Sequence, residues 1–375
     1  MITRQRSGEP FRVAILGAGG IAETHAEVLQ SIPGVELIAI GDAQFSKAEN
    51  FRDKFQLAGA YPSLAAMLDE AKPDVVHLPV SPVAHAATAI ACLERGVSVF
   101  VEKPFTLSTA ECARVSAAAA RSGAQVGVNH NVVFHPTVLR AIQAVKSGKL
   151  GAIEHASFGF NAPMPELPWG PYSHWLFQDT GNLVFELAVH PLSVTQRLFG
   201  RILEVKTLAS GGKVLPNGVR FYSNWQLAMR CERGTASLQM SVAAGFPDNW
   251  IHIQGEDGAC HANLHRNTLF LSEKSPLLRD QDDLRDAFQT VRSVAGNGIA
   301  HFKNNVQNSL RRTSAYPQYE SMKGSICAYY EALSRGAKPP VSDLEGTQVV
   351  EACALAVAEF SQPQETRLEK VLLNG

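Results

Sequence analysis

Three groups of residues in this chain are of types and spacings that can do chemistry. The first is Gly17-Ala18-Gly19-Gly20-Ile21-Ala22, a G-x-G-x-x-A turn that follows the apolar run Phe11–Leu16. In such a turn the first glycine permits a tight bend, the second lets backbone approach a pyrophosphate, and a small third residue keeps the next helix close to the strand. Phosphates then sit on the free N–H groups of the helix N-terminus, where the dipole favours negative charge. The second is Asp42, at the end of the run Leu37–Gly41. Its distance from the turn suits a carboxylate that accepts hydrogen bonds from ribose hydroxyls and repels a 2′-phosphate. The third is Lys103, closing the run Val97–Val101, together with Glu186 and His190, which are four apart and share one face of a helix. A lysine at the carboxyl end of a parallel strand points into the ligand crevice of such sheets. There it can hydrogen-bond a developing alkoxide, while histidine, ordinarily titrating near ~6.5, exchanges protons at neutral pH.

Each group also has a plainer reading. A lone glycine triplet is a weak signal and fits any tight turn, but here a strand precedes it and a helix follows. Asp42 could be a solvated loop carboxylate, and Lys47 nearby leaves room for NADP beside NAD. Lys103 alone could lie on the surface, His190 could be structural, and Glu186 could merely orient it. His130 and His135 flank the domain junction, where core or surface roles compete with lining a pocket. Cys260, His261 and His265 could be drawn as a metal cluster. Adjacent strand residues face opposite ways and no fourth ligand is near, so no metal site is read.

The elements that must position these groups alternate strand and helix over residues 1–135, as in a doubly wound parallel sheet. Strands are expected at Phe11–Leu16, Val35–Ile40, Asp74–Leu78, Val97–Val101 and Gln125–Val128. Helices are expected at Ile21–Ser31, around Ser46–Phe55, at Ser63–Glu70, at Val83–Arg95 and at Ser108–Ser122, the last stopped by Gly123. A helix over Thr137–Ser147 leads into residues 136–375, where runs at Ile153–Phe160, Glu204–Leu208, Trp225–Cys231, Ala236–Ala243, Ile251–Gln254 and Ala259–Leu264 predict an open, mostly antiparallel sheet with helices on one face. The fold class is α/β plus α+β. Pro163, Pro165, Pro168 and Pro171 mark a long loop. Asp282–Leu310 reads as a polar helical excursion interrupted near Gly296–Gly298, and Gln318–Leu333 and Gly346–Ser361 as late helices.

Composition narrows the function class. The 375 residues carry a formal net charge of −1 and 18% charged residues, so no basic stripe for nucleic acid and no membrane surface is indicated. The six cysteines are scattered, with no C-x-x-C pair, and most lie in apolar runs as small buried side chains. No apolar h-region is read at the start and no run reaches membrane-spanning length, which makes the cytoplasm the default expectation.

Glu102-Lys103-Pro104 at the end of the strand Val97–Val101 resembles the Gfo/Idh/MocA family (glucose–fructose oxidoreductase and inositol dehydrogenase). His85 opening a helix, Phe134–Pro136, Gly181–His190 and Gly255–Gly258 resemble further segments of that family. The resemblance implies hydride transfer on cyclic polyols, sugars or nucleotide sugars, and a second sheet whose face builds a homodimer or homotetramer. By position it makes Lys103 the active-site lysine and His190 the histidine facing the nicotinamide, with Glu186 in place of the usual aspartate. The cofactor-binding set is Gly17, Gly19, Gly20, Ile21, Ala22, Asp42, Ser81, His85, Glu102 and Lys103. The chain departs from the family at Val132 and Val133, where paired arginines are usual, at Asn182 in the glycine pair, and at Ser193. Two other readings stand beside a dehydrogenase: an NAD-retaining lyase or glycosidase working by transient oxidation, and a non-catalytic NAD-binding protein.

Overall fold

The computed structural model describes residues 9–165, 167–243, 245–274, 279–311 and 317–360. The chain opens with β1 (Phe11–Leu16), α1 (Gly20–Gln30), β2 (Val35–Gly41), α2 (Phe45–Phe55), β3 (Gly59–Tyr61), α3 (Leu64–Ala71), β4 (Val75–Leu78), α4 (Pro82–Leu93), β5 (Ser98–Val101), α5 (Thr109–Ser122) and β6 (Val126–Val128). The six strands pair in parallel in the order β3-β2-β1-β4-β5-β6. Every residue of β4 and β5 is buried, which explains their largely apolar sequence, broken by His77 and Ser98: helices cover both faces of this sheet. Ser63 and Ser108 cap α3 and α5 through hydrogen bonds accepted from Ala66 N and Glu111 N. Gly123 ends α5 in the left-handed region at φ 75°.

The second half comprises α6 (Pro136–Lys146), β7 (Ile153–Asn161), α7 (Val189–Phe199), β8 (Ile202–Val214), β9 (Arg220–Cys231), β10 (Gly234–Ser241), β11 (Asp248–Gly255), β12 (Gly258–Asn263), β13 (Thr268–Glu273), α8 (Arg279–Arg311), α9 (Gln318–Ser334) and α10 (Asp343–Val357). Its sheet runs β13-β12-β11-β7-β10-β9-β8, and only β7 and β10 are parallel. Alternation along β9 buries Phe221, Trp225, Leu227 and Met229 on the face where α7 and α10 meet the neighbouring strands and leaves Gln226, Ala228 and Arg230 on the outer face. The sheet therefore has one packed face and one open one.

Four differences from the sequence reading have physical causes. The short edge strand β3 and the outermost strand β13 are too short and too irregular in hydropathy to stand out. Helix α7 continues directly from a π-helical turn over Val184–Ala188, and Pro191 near the junction lacks the N–H that would bond back into that turn. Helix α8 runs unbroken through Gly296 and Gly298; two glycines weaken a helix by about 1 kcal/mol each but do not stop it. Helix α9 turns back to the first sheet: Met322, Ile326, Tyr329 and Tyr330 share a core with Val13, Ile15 and Phe100.

Candidate active site

The strand order places the carboxyl ends of β1, β4 and β5 side by side, with the crossover direction reversing between β1 and β4, where doubly wound sheets bind ligands. Gly17 leaves β1 at φ +101°, and a Cβ there would meet Pro79 O at 2.9 Å and Val80 Cγ1 at 3.1 Å. Only glycine fits so close against the end of β4. Gly19, the N-cap of α1, has no side chain to occupy the helix N-terminus, and no atom lies within 4 Å of a Cβ built at Gly19 or Gly20. Ala22 is fully buried against the sheet, while Ile21 and Ser81 are exposed at the helix starts. Asp42 follows β2; its Oδ2 accepts from Ala18 N at 2.8 Å and its Oδ1 from Gln44 N at 2.7 Å. The carboxylate is thus fixed to the glycine turn itself. These features form a cradle with free amides for a pyrophosphate and a carboxylate held near the ribose position, which fits a dinucleotide.

His85 and Glu102 are polar cofactor candidates that the fold buries. His85 is fully buried, with Nδ1 2.8 Å from Pro104 O and Nε2 3.1 Å from Val80 O. Burial lowers its pKa, so the neutral ring donates to one of these carbonyls at a time while bracing the ends of β4 and β5 together. Glu102 is 7% exposed. Its carboxylate accepts from His25 Nε2 (2.8 Å), Asn129 Nδ2 (2.6 Å) and Lys103 N (3.1 Å). Burial opposes its charge, but the bonds from His25 and Asn129 and the nearby Lys103 hold it at about 2. Behind it His25 Nδ1 meets His77 Nδ1 at 2.8 Å, and His77 Nε2 meets the Tyr330 hydroxyl at 2.9 Å. Burial and the neighbouring His25 keep His77 well below its ordinary pKa. A continuous buried chain therefore ties α9 to the strand end that carries Lys103.

Lys103 reaches across to the second half of the chain. Its Nζ lies 2.5 Å from Glu186 Oε1 and donates also to Glu186 O at 3.2 Å, with side chains 19% and 27% exposed. Glu186 sits in a π-helical turn over Val184–Ala188 that runs directly into α7. Pro191 has no N–H to return a π-type bond to Glu186 O, so that carbonyl has capacity for the lysine. His190 stacks on Phe160, ring centroids 6.2 Å apart. Burial first, then the Lys103 cation, push its pKa down to about 3, so it is neutral at pH 7. Among the described residues nothing hydrogen-bonds its Nδ1, which is buried. Val132, Phe158, Phe160 and Trp250 line a small slot of about 20 Å³ beside it. Where the family has paired arginines this wall is apolar. Ser193 donates to His190 O at 2.7 Å. His130 is buried with its pKa lowered to about 4 by desolvation, and His135 caps α6 by accepting from Thr137 N at 3.2 Å. Cys260 is buried and His261 exposed, on opposite faces of β12.

A family model for an oxidoreductase family with an NAD-binding Rossmann fold, GFO_IDH_MocA, matches residues 11–130, and a GFO/IDH/MocA C-terminal domain model matches residues 138–261. The chain belongs to the Gfo/Idh/MocA family. Among its relatives in that family is the D-apiose dehydrogenase of Paraburkholderia graminis, 24% identical over 254 residues that cover 66% of this chain and 66% of that protein. The scyllo-inositol 2-dehydrogenase (NAD(+)) of Bacillus subtilis is 24% identical over 208 residues, 55% of this chain and 58% of its own. The chain thus spans between half and two thirds of the length of these curated relatives. In fold it is similar to a levoglucosan dehydrogenase solved with NADH and levoglucosan, with a TM-score of 0.76, 18% identity, and coverage of 95% of this chain and 100% of that one. Glu102, Asn129, His25, His77 and Tyr330 form the part of the site that spacing did not reveal as a unit. The available signal was His25, a polar residue within the buried stripe Ala22-His25-Ala26-Leu29 of α1.

Proposed function

We propose that this Gfo/Idh/MocA protein is an NAD-dependent dehydrogenase that moves a hydride between nicotinamide and a secondary alcohol of a sugar-like ring. The observation that carries the reading is the meeting of Lys103 with Glu186, beside neutral His190, at the same sheet edge as the glycine turn. Gly17, Gly19, Gly20, Ile21 and Ala22 would hold the pyrophosphate, Asp42 the ribose, and Ser81 and Lys103 the nicotinamide half; His85 and Glu102 support these from beneath. Bound there, NAD supplies the hydride acceptor.

The chain's own groups supply the rest. Glu186 fixes the direction of the Lys103 ammonium, which donates to the substrate hydroxyl oxygen and stabilises negative charge growing on it. His190, neutral at pH 7, accepts the hydroxyl proton. Its pKa of about 3 makes it a weak base before the reaction begins, weaker than its residue type implies. Negative charge developing on the alkoxide counters the burial and the lysine field and raises its basicity as the C–H bond breaks. The apolar wall of Val132, Phe158 and Phe160 suits the C–H face of a ring, and the polar edge at Lys103 and Glu186 suits its hydroxyls. Asp42 beside Ala18 N puts fixed negative charge where a 2′-phosphate would sit, which favours NAD over NADP. The open face of the second sheet is the self-association surface in this reading, giving a dimer or tetramer.

The test is a panel of cyclic polyols, free sugars and nucleotide sugars with NAD and with NADP, scored by absorbance of the reduced nicotinamide. Reduction of NAD with at least one ring polyol is expected. Product formation without net reduction would assign the site to transient oxidation instead.

A further inference from the structure

Among the described residues, the longest series of exposed apolar side chains on one element lies on α8, which packs against the edge strand β13. Leu284, Phe288, Val291, Val294, Ile299 and Phe302 are each more than half exposed, and Val306 is 41% exposed. On a helix turning 100° per residue, positions 284, 288, 291, 295, 299, 302 and 306 fall on one stripe, with Val294 at its margin. Among the described residues this helix meets the rest of the fold along β13, where Asn297 Nδ2 donates to Leu269 O at 3.0 Å. The stripe presents several hundred Å² of apolar area, roughly the upper limit for a monomer's largest patch. The helix also carries Gly296 and Gly298, around which a Cβ would meet nothing. A helix weakened at its centre and unpacked along its apolar side gains its stability from a partner.

The stripe identifies that partner by its symmetry. Measured from Ala295, its members stand at the same spacings in both directions. A two-fold axis at Ala295 sets Leu284 against Val306, Phe288 against Phe302, and Val291 against Ile299. Each of these six apolar positions thus meets another apolar position, as an isologous contact requires, while Val294 at the margin faces Gly296. Charge agrees. In sequence, all acids of α8 lie at or before position 286, and every charged residue from Arg292 onward is basic. Antiparallel pairing lays the basic half of one helix along the acidic half of the other, bringing Lys303 opposite position 287. Arg292 comes opposite Gly298, where there is room for it. Ala295 and Gly298 at the crossing let the two backbones approach closely.

We propose that α8 is a homotypic docking element: the α8 helices of two copies of this chain pair antiparallel about a two-fold axis at Ala295. This contact is separate from the open face of the second sheet and independent of the catalytic reading. The test uses the full chain. Light scattering coupled to size exclusion should show that Phe288→Asp with Phe302→Asp halves the mass of the wild-type assembly, with circular dichroism and melting temperature of the body retained. Cross-linking fixes the geometry. Five of the six native cysteines are buried and Cys327 is partly so, so introduced thiols report selectively. Ala295→Cys alone should form a covalent dimer on oxidation or with a short bismaleimide. Leu284→Cys and Val306→Cys should each fail alone and succeed together. An unchanged mass in the double aspartate variant overturns the proposal. So does cross-linking of Leu284→Cys alone, which would mark a parallel pair. Sedimentation of the wild-type chain, but not of the aspartate variant, with phosphatidylcholine vesicles at an unchanged protein mass would assign the stripe to a lipid surface instead.

Discussion

Replacing Gly19 by alanine separates cofactor binding from folding more cleanly than any other change in the site. Gly19 has φ −80° and ψ 175°, a conformation open to every residue, and a Cβ there meets no atom within 4 Å. The protein alone should therefore barely notice the methyl group. Glycine is a better N-cap than alanine by up to about 1 kcal/mol, and the smaller unfolded-state entropy of alanine returns about 0.4–1 kcal/mol. The melting temperature without ligand should stay within about 3 °C of wild type. A pyrophosphate, by contrast, must approach the amides of this turn to hydrogen-bond distance, and the methyl stands in its way. Losing one charge-assisted hydrogen bond costs about 1.5–3 kcal/mol, or about 10–100-fold in dissociation constant. Gly17→Ala provides the contrast. At φ +101°, with Pro79 O 2.9 Å from the new Cβ, it should lose about 1–3 kcal/mol of stability from backbone strain alone. Isothermal titration with NAD and ligand-free thermal melts measure both effects. If Gly19→Ala binds NAD like wild type, the pyrophosphate does not lie on this turn and the cradle argument is wrong.

Three further outcomes follow from the same geometry. Lys103→Ala should abolish turnover while NAD affinity by titration changes by less than about 5-fold, since its part in the chemistry is at the substrate hydroxyl and its contact with the nicotinamide half is one of many that hold the cofactor; a retained kcat would remove Lys103 from the chemistry. Asp42→Ala should raise the Kd for NAD about 10-fold and narrow the NAD/NADP preference in kcat/KM, and an unchanged preference would remove the ribose assignment. Glu102, held at about 2 against an ordinary 4.5, contributes about 3 kcal/mol of stability. Because its pKa is depressed in the fold, that contribution is complete above about pH 5 and is lost as pH falls toward 2. Urea midpoints should therefore drop between pH 5 and pH 3 more steeply for wild type than for Glu102→Gln, and parallel slopes would contradict the buried ionised carboxylate.

The sheet that positions the site was legible because its strands are buried on both faces and its helices carry local stop and start signals, such as Ser63, Ser108 and Gly123. The second sheet was legible in its alternation, whereas the edge strands β3 of the first sheet and β13 of the second were not, because neither has a buried residue to pattern its sequence. Local geometry was legible where neighbours in sequence lie together, as in the turn of Gly17–Ala22. It was hidden where partners are distant. Nothing in the spacing paired Lys103 with Glu186, and nothing joined His25, His77 and Tyr330 into one buried chain. His85 and Glu102 were placed near the cofactor by position, whereas burial and hydrogen bonding give them supporting roles. The low basicity of His190 is a property of its burial and of the Lys103 field, neither of which a residue type can report.

The central claim is that the glycine turn and the Lys103 ammonium serve one crevice. A crystal structure with NAD and a turned-over polyol bound tests it directly. The account predicts the pyrophosphate on the amides of Gly19–Ile21, and the reacting carbon between the nicotinamide and the Lys103–His190 pair, its hydroxyl within hydrogen-bond reach of Nζ. A nicotinamide bound on the turn but directed away from Lys103, with the polyol held elsewhere, would contradict it.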